Sequence, residues 1–221
     1  MQPRGVERLK KAINDLQTDE KINIIMRSFQ LEPNLPSDKR LNDLEFVKFT
    51  QNLSDDQYEN MRSRFKIYAD NLKEAGKEEN IEFNFDKAIY INTRKAHQII
   101  QFSKKFAKSL EMEQLLFKAH FSDGLDIGSD EVLLNFAEQL GLDRSATIQA
   151  LKENSYEYEI QQDVQDGLSG GLRGVPFFRI NNRNTLSGAQ SVDNFKAFLN
   201  ENIDNNSSRQ NMSCDINGDC Y

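Results

Sequence analysis

The sequence predicts an α/β fold in which a long helical block interrupts a smaller α/β unit. Short apolar runs without a useful helical stripe, at residues 21–29 and 174–180, are typical of strands. The polar turn at 181–184 leads to a second short strand at 185–187, as in a hairpin. Between these ends, apolar residues recur at helical spacing from 43 to 151. A plain helical bundle, the rival interpretation, does not explain the apolar runs at both ends.

The elements of the α/β unit follow from local signals. A first helix is predicted over residues 5–16, because its apolar side chains fall on one face. Pro33 and Pro36 end regular structure after the predicted strand at 21–29. A helix after Tyr156, broken at Gly170 and Gly171, precedes the strand that Pro176 introduces. An amphipathic helix containing Phe195, Phe198 and Leu199 closes the unit.

Within the helical block, caps and glycines mark the helix ends. Ser54 and Ser129 are each followed by two acidic residues, which suits a helix N-terminus. Gly76 and Gly141 are predicted to end the helices that these residues begin. Residues 93–110 read as one helix. The helical spacing of the aromatic residues in this region predicts a core role for Phe102, Phe106, Phe117 and Phe121.

Composition excludes several classes of function. The chain has 221 residues, 38% hydrophobic and 29% charged, which is enough for a sizeable core. A formal net charge of -7 argues against nucleic-acid binding, and the lysine cluster Lys104, Lys105 and Lys108 is interpreted as a solvated face. No apolar run approaches the length of a membrane span, and the first residues have no secretory h-region. We therefore expect a cytoplasmic protein without a membrane partner.

The two cysteines, Cys214 and Cys220, both lie in the last eight residues. Two thiols in one tail cannot form a disulfide scaffold for a core, and they are too few for a structural zinc site, so no metal is expected. No cofactor is expected either. They are close enough to form a small disulfide. Asp215 and Asp219 flank them and should raise the thiol pKa by like-charge repulsion, which slows their attack. A redox tail and an idle tail both remain open.

Five motifs, in order, resemble the DsbA-like thioredoxin-fold family in its FrnE-type branch. They span residues 29–36, 85–97, 117–121, 174–178 and 186–190, and include the pairs Asn92-Thr93 and Ala96-His97. The resemblance runs from about residue 4 to 201. It implies a thioredoxin-like domain over residues 1–40 and 152–205, a helical insert at 41–151 and a flexible Cys-containing tail at 206–221. 2-Hydroxychromene-2-carboxylate isomerases and kappa-class glutathione transferases are related to this family.

The resemblance also assigns site residues. It implies a cis Val175–Pro176 bond and a Val175 backbone edge that pairs with an extended substrate. It places Asn92 and His97 along the substrate cleft, although a half-buried helix histidine is the simpler interpretation of His97. Members of the family begin with a strand and a Cys-x-x-Cys pair at a helix N-terminus, where the thiol pKa is lowered. This sequence carries no such pair.

The missing pair leaves three functions open. The first is a thiol–disulfide oxidoreductase acting on protein or small-molecule disulfides, through Cys214 and Cys220 as the available thiols. The second is a non-catalytic thioredoxin-fold protein that holds partner segments at Val175 and Pro176. The third is a glutathione-dependent isomerase. The sequence is interpreted as either a shortened form or a natural degenerate member. Without the first strand we expect a marginal monomer or one that recruits a partner strand, for example in a homodimer.

Overall fold

The computed structural model describes residues 3–51 and 53–210, with the backbone alone described for residues 204–210. Its contacts divide the chain into two compact units. The hairpin unit comprises residues 1–23 and 172–221, and the helical unit comprises residues 24–171. Each unit has its own core and is described by itself below.

The hairpin unit consists of two helices packed on one face of a β-hairpin. Strands β1 (Phe177–Ile180) and β2 (Asn184–Ser187) are antiparallel, with Phe177 opposite Ser187. Helices α1 (Pro3–Asp15) and α9 (Val192–Gln210) pack against each other. Ala12, Phe195 and Leu199 form the buried centre, and the side chains packed against it are those of Leu9, Ile13, Leu16, Phe178, Ile180, Leu186, Val192 and Ile203. In β1, every second side chain, that of Phe178 and that of Ile180, therefore faces the core, as expected for a strand with one covered face.

The hairpin turn depends on two asparagines in the left-handed region. Asn181 and Asn182 have φ of 49° and 56°, which asparagine tolerates better than other non-glycine residues. Two consecutive positive φ values match the turn whose twist suits a tight hairpin. The polar sequence at 181–184 thus fixes the register of β1 against β2.

The helical unit is built around one buried helix. The helices are α2 (Asp43–Gln51), α3 (Asp55–Lys77), α4 (Arg94–Lys104), α5 (Ser109–Lys118), α6 (Asp130–Gln139), α7 (Arg144–Lys152) and α8 (Glu157–Ser169). Helix α4 contacts α5, α6, α7 and α8. Every residue from Ala96 to Ser103 is buried, so polar side chains on α4 must find partners inside the unit. Gln98 does so by accepting a hydrogen bond from the Tyr156 backbone N–H at 2.9 Å.

Three expectations about the elements are wrong. Residues 21–29 form no strand, because in the described part of the chain no neighbouring strand pairs with them. The helix predicted over 93–110 ends at Lys104, and Ala107, with φ of 55°, turns the chain into α5. Phe106 lies in that turn and is 50% exposed, so it is not a core residue.

The unit boundaries at 23/24 and 171/172 differ from the predicted domain boundaries at 40/41 and 151/152. The predicted boundaries assign residues 21–29 and α8 to the thioredoxin-like domain, and they stay a prediction about that domain. The predicted tail at 206–221 overlaps the end of α9, and the rest of it, with Cys214 and Cys220, lies outside the described residues.

Candidate functional site

Pro176 stands at the entrance of the hairpin, and its peptide bond to Val175 is cis. The Pro176 carbonyl oxygen accepts a hydrogen bond from the Gly188 N–H at 2.8 Å, which extends the hairpin by one link beyond β1. Gly188 has φ of +84°, a conformation that favours glycine. The backbone before β1 is therefore held in place by the residue that follows β2.

Helix α1 supports this entrance through a glycine and an arginine. A Cβ atom on Gly5 would lie 2.9 Å from Pro176 Cγ and 3.1 Å from Phe178 Cζ, so only glycine permits this close packing. Arg8 Nη1 donates hydrogen bonds to the Ala189 and Gln190 carbonyl oxygens, at 3.2 and 3.3 Å. Helix α1 thus contacts both the segment before β1, at Pro176, and the segment after β2, at Ala189 and Gln190.

Val175 has a half-buried side chain, and no backbone hydrogen bond joins it to another described residue. On the side away from β2, strand β1 likewise has no strand partner in the described part of the hairpin unit. An extended peptide can bind such an edge through main-chain hydrogen bonds. The substrate role that the resemblance implies for Val175 stays a prediction.

Asn92 lies before α4 and uses its side chain inside the helical unit. Its Oδ1 accepts hydrogen bonds from Gln30 Nε2 at 2.8 Å and from the Arg94 N–H at 2.9 Å. Its Nδ2 donates to the Leu35 and Pro33 carbonyl oxygens. Asn92 therefore fastens the 30–35 segment to the start of α4, and its proposed contact with substrate stays a prediction.

His97 is buried in the first turns of α4, with 4% of its surface exposed, and its Nδ1 atom has no hydrogen-bond partner among the described residues. Burial lowers the pKa of His97 to about 4. The imidazole is therefore neutral at physiological pH. His97 is thus more deeply buried than the half-buried helix histidine of the simpler interpretation. Its predicted place along a substrate cleft stays a prediction.

Asp163 is the centre of a buried ion network that the sequence analysis missed. Its carboxylate accepts hydrogen bonds from the Ser28 N–H, Arg27 Nη1, Gln101 Nε2 and Lys104 Nζ. Burial acts to raise the pKa of Asp163, but the hydrogen bonds from Ser28, Arg27 and Lys104 outweigh it and hold the pKa below its ordinary value. A paired aspartate of this kind is ionised across the physiological range.

The interpretation of Lys104 as part of a solvated face is wrong. Its side chain is 20% exposed and its Nζ lies 2.9 Å from Asp163 Oδ2. Burial lowers the pKa of Lys104, against the opposite effect of Asp163. Of the other two lysines, Lys105 lies over the Tyr156 ring at 4.8 Å and Lys108 pairs with Glu111 at 3.0 Å. The ion pair between α4 and α8 joins residues 59 apart, a separation that no local pattern reveals.

Glu113 on α5 is a second buried acid, near Lys104. It is 7% exposed, and no described group lies within hydrogen-bond distance of its Oε2 atom. Burial raises the pKa of Glu113 to about 7, and Lys104 acts in the opposite direction. This carboxyl group therefore changes its charge near neutral pH inside the unit.

His120 lies in a π-helical turn, Ala119–Asp123, that continues α5. In the described part of the chain its Nδ1 atom also has no hydrogen-bond partner, and burial lowers the pKa of His120 to about 4. The His120 ring packs edge-on against Phe121, with centroids 4.8 Å apart. His120 is thus neutral at physiological pH, and its side chain is half-buried.

The structure brings Val175 and Pro176 together in the hairpin unit, and Asn92 and His97 at the start of α4 in the helical unit. In the described part of the chain, no group of three His, Cys, Asp or Glu side chains is placed to hold a metal ion. None of the described helices is both long and apolar enough to cross a bilayer.

Comparisons with known proteins agree with this geometry. The sequence model of the DsbA-like thioredoxin domain family matches residues 4–200. The uncharacterized protein YwbO of Bacillus subtilis (strain 168) is 26% identical over 123 residues, which are 55% of this chain. The match spans 61% of that relative's length.

Two solved structures share the fold. A probable DsbA oxidoreductase from Streptomyces coelicolor has a TM-score of 0.80 at 22% identity, covering 99% of this chain and 92% of its own. A 2-hydroxychromene-2-carboxylate isomerase has a TM-score of 0.56 at 18% identity, covering 94% and 90%. At these identities the likeness shows the thioredoxin fold with its helical insertion. Because the family model covers most of the sequence, the chain belongs to the DsbA-like thioredoxin domain family.

Proposed function

We propose that this protein is a thiol–disulfide oxidoreductase of the DsbA/FrnE type that acts on disulfides in extended polypeptide segments. The observation that supports it is the backbone edge at Val175, which has no strand partner in the described residues and lies beside Pro176 on a DsbA-like scaffold. A substrate segment aligned there uses main-chain hydrogen bonds, so it is selected for being extended rather than for its sequence.

The chemistry is assigned to Cys214 and Cys220, which are the two cysteines of the sequence. One thiolate attacks a substrate sulfur, the substrate disulfide breaks, and the departing substrate thiolate takes up a proton. The other cysteine, as thiolate, then attacks the mixed disulfide and releases the second substrate thiol. Two electrons pass to the substrate, and the two cysteines end as a disulfide.

A binding function without redox chemistry is the second candidate. The same Val175 edge supports it, because main-chain pairing needs no thiol. In this case the protein holds extended segments, and Cys214 and Cys220 are idle. The predicted cytoplasmic location and the FrnE-type branch are part of both proposals.

A redox titration of Cys214 and Cys220 tests the first proposal. The protein is equilibrated in glutathione buffers, trapped by alkylation and read by mass. A cooperative two-electron transition in the range of roughly −120 to −270 mV supports it. Cys214→Ser and Cys220→Ser should each abolish the transition. Thiols that stay alkylatable across the range, or oxidise only into random dimers, contradict it.

Peptide binding tests the Val175 edge that both candidates use, and the cysteine variant separates them. Val175→Pro removes the backbone N–H from the edge, whereas the matched control Val175→Ala keeps the N–H and C=O groups. If the edge binds substrate, a labelled unfolded peptide binds the wild type and Val175→Ala but not Val175→Pro. The double variant Cys214→Ser/Cys220→Ser is tested for binding of the same peptide. If it binds the peptide as well as the wild type does, and the redox titration of the wild type shows no transition, the binding function stands and the redox function fails.

A further inference from the structure

The segment that carries Val175 is positively charged, although the chain as a whole is acidic. The formal net charge of the protein is -7, with 35 acidic and 28 basic residues. Residues 172–192, which run from the approach to Val175 to the first residue of α9, contain three arginines and no Asp, Glu or Lys. The arginines are Arg173, Arg179 and Arg183. A local excess of one charge attracts ligands of the opposite charge.

Arg173 lies two residues before Val175, and it is exposed. In the described part of the chain, no group forms a hydrogen bond or an ion pair with its guanidinium. An arginine guanidinium stays protonated across the physiological pH range and offers five N–H donors in a planar fork that suits a carboxylate. Arg173 is therefore a charge beside Val175 that a ligand can reach.

Gly174, the residue between Arg173 and Val175, leaves room for a bound chain. A Cβ atom on Gly174 would meet no heavy atom of the described residues within 4 Å. Two residues of an extended chain span about 7 Å, so a segment bound at Val175 brings its neighbouring side chains within reach of the Arg173 guanidinium. Opposite charges that meet in this way across two paired strands stabilise the pairing.

A second guanidinium, that of Arg8 on α1, lies beside the segment that follows β2. Its Nη1 donates to the backbone carbonyl oxygens of residues 189–190, at 3.2 and 3.3 Å. These residues directly follow the backbone hydrogen bond that holds the Pro176 carbonyl oxygen. Carbonyl oxygens are neutral, so the two bonds orient the guanidinium without removing its charge. Glu7, the acidic residue next to Arg8, pairs with Lys10 at 3.0 Å, which balances the charge of Glu7.

We propose that the Val175 site prefers extended polypeptide segments that carry acidic side chains, with Arg173 as the residue that recognises them. This inference rests on the proposed function, because it names the substrate class of the same site. Main-chain pairing at Val175 binds a segment for being extended, and Arg173 adds a contact to a Glu or Asp side chain of that segment. Arg8 adds to the positive potential at the site. The same charges disfavour a segment with basic side chains.

Two labelled unfolded peptides of equal length test the proposal, one with two glutamates and the other with two glutamines at the same positions. Fluorescence anisotropy measures their binding to the full chain at low and at high salt. The wild type should bind the glutamate peptide about two- to fivefold more tightly at low salt, as expected for exposed ion pairs, and high salt should reduce this preference. Arg173→Gln should remove most of the preference. Arg173→Lys, which keeps the charge, should retain most of it.

Arg183→Gln is the matched control, because Arg183 is exposed in the hairpin turn and its substitution changes the net charge by the same amount. This variant should keep the preference of the wild type. Equal binding of the two peptides by the wild type, or an equal loss of preference in Arg173→Gln and Arg183→Gln, overturns the proposal. If the peptides bind equally and Val175→Pro abolishes the binding of both, the acidic preference fails while the proposed site stands. If neither peptide binds the wild type, the proposed site fails as well.

Discussion

Glu113 should make the folded protein less stable as the pH rises. The pKa of this carboxyl group is about 7 in the folded state, against an ordinary value of 4.5, because of burial. The unfolded chain therefore releases the Glu113 proton at a lower pH than the folded chain does. The contribution of Glu113 to the free energy of unfolding is largest below about pH 4.5. It decreases as the pH rises from 4.5 to 7 and is constant at higher pH.

The size of the effect follows from the two pKa values. One pKa unit corresponds to about 1.4 kcal/mol, so ionisation of Glu113 destabilises the folded state by about 3 kcal/mol at most. Glu113→Gln removes the ionisation and keeps the shape of the side chain. The free energy of unfolding of Glu113→Gln, minus that of the wild type, should rise by about 2 to 3 kcal/mol between pH 5 and pH 8.

Urea unfolding followed by circular dichroism at pH 5, 6, 7 and 8 measures this difference. Comparing the variant with the wild type at each pH cancels the contributions of other titrating groups. The control is Glu111→Gln on the same helix, where hydrogen bonds from its own backbone N–H and then from Lys108 hold the pKa of Glu111 below its ordinary value. The control should show no such rise. A Glu113→Gln difference that is flat from pH 5 to pH 8 would refute the reasoning.

Three further predictions concern stability. Because burial holds the pKa of His97 at about 4, the wild type should lose up to about 3 kcal/mol of stability as the pH falls from 6.5 to 4. His97→Gln should remove this loss, which is measured by comparing the free energies of unfolding at pH 7 and pH 4.5. Asp163→Asn should destabilise by about 2 to 4 kcal/mol at pH 7, since Lys104 loses its buried counterion, whereas Asp55→Asn, in an exposed pair with Lys48, should change little. Gly5→Ala should destabilise by about 1 to 3 kcal/mol through overlap with Pro176, while Gly174→Ala, whose Cβ meets no neighbour, serves as a near-neutral control in thermal unfolding.

Local signals in the sequence predicted the hairpin and the helices well. Asn181 and Asn182 adopt the left-handed conformations that the turn requires, and Pro176 opens β1. The capping box at Ser54 begins α3, with Gln57 as its second member. These features depend on residues within a few positions of one another, so a single sequence contains the information.

The features that the sequence did not reveal depend on distant partners. Asp163 bonds to Ser28 across 135 positions and to Lys104 across 59, and no spacing rule connects them. The run at 21–29 has the composition of a strand, but a strand needs a neighbour, which the run itself does not encode. The residues singled out in the two units differ in the same way. Val175 and Pro176 were found from a local motif, whereas Glu113, whose charge changes near neutral pH, carried no local signal.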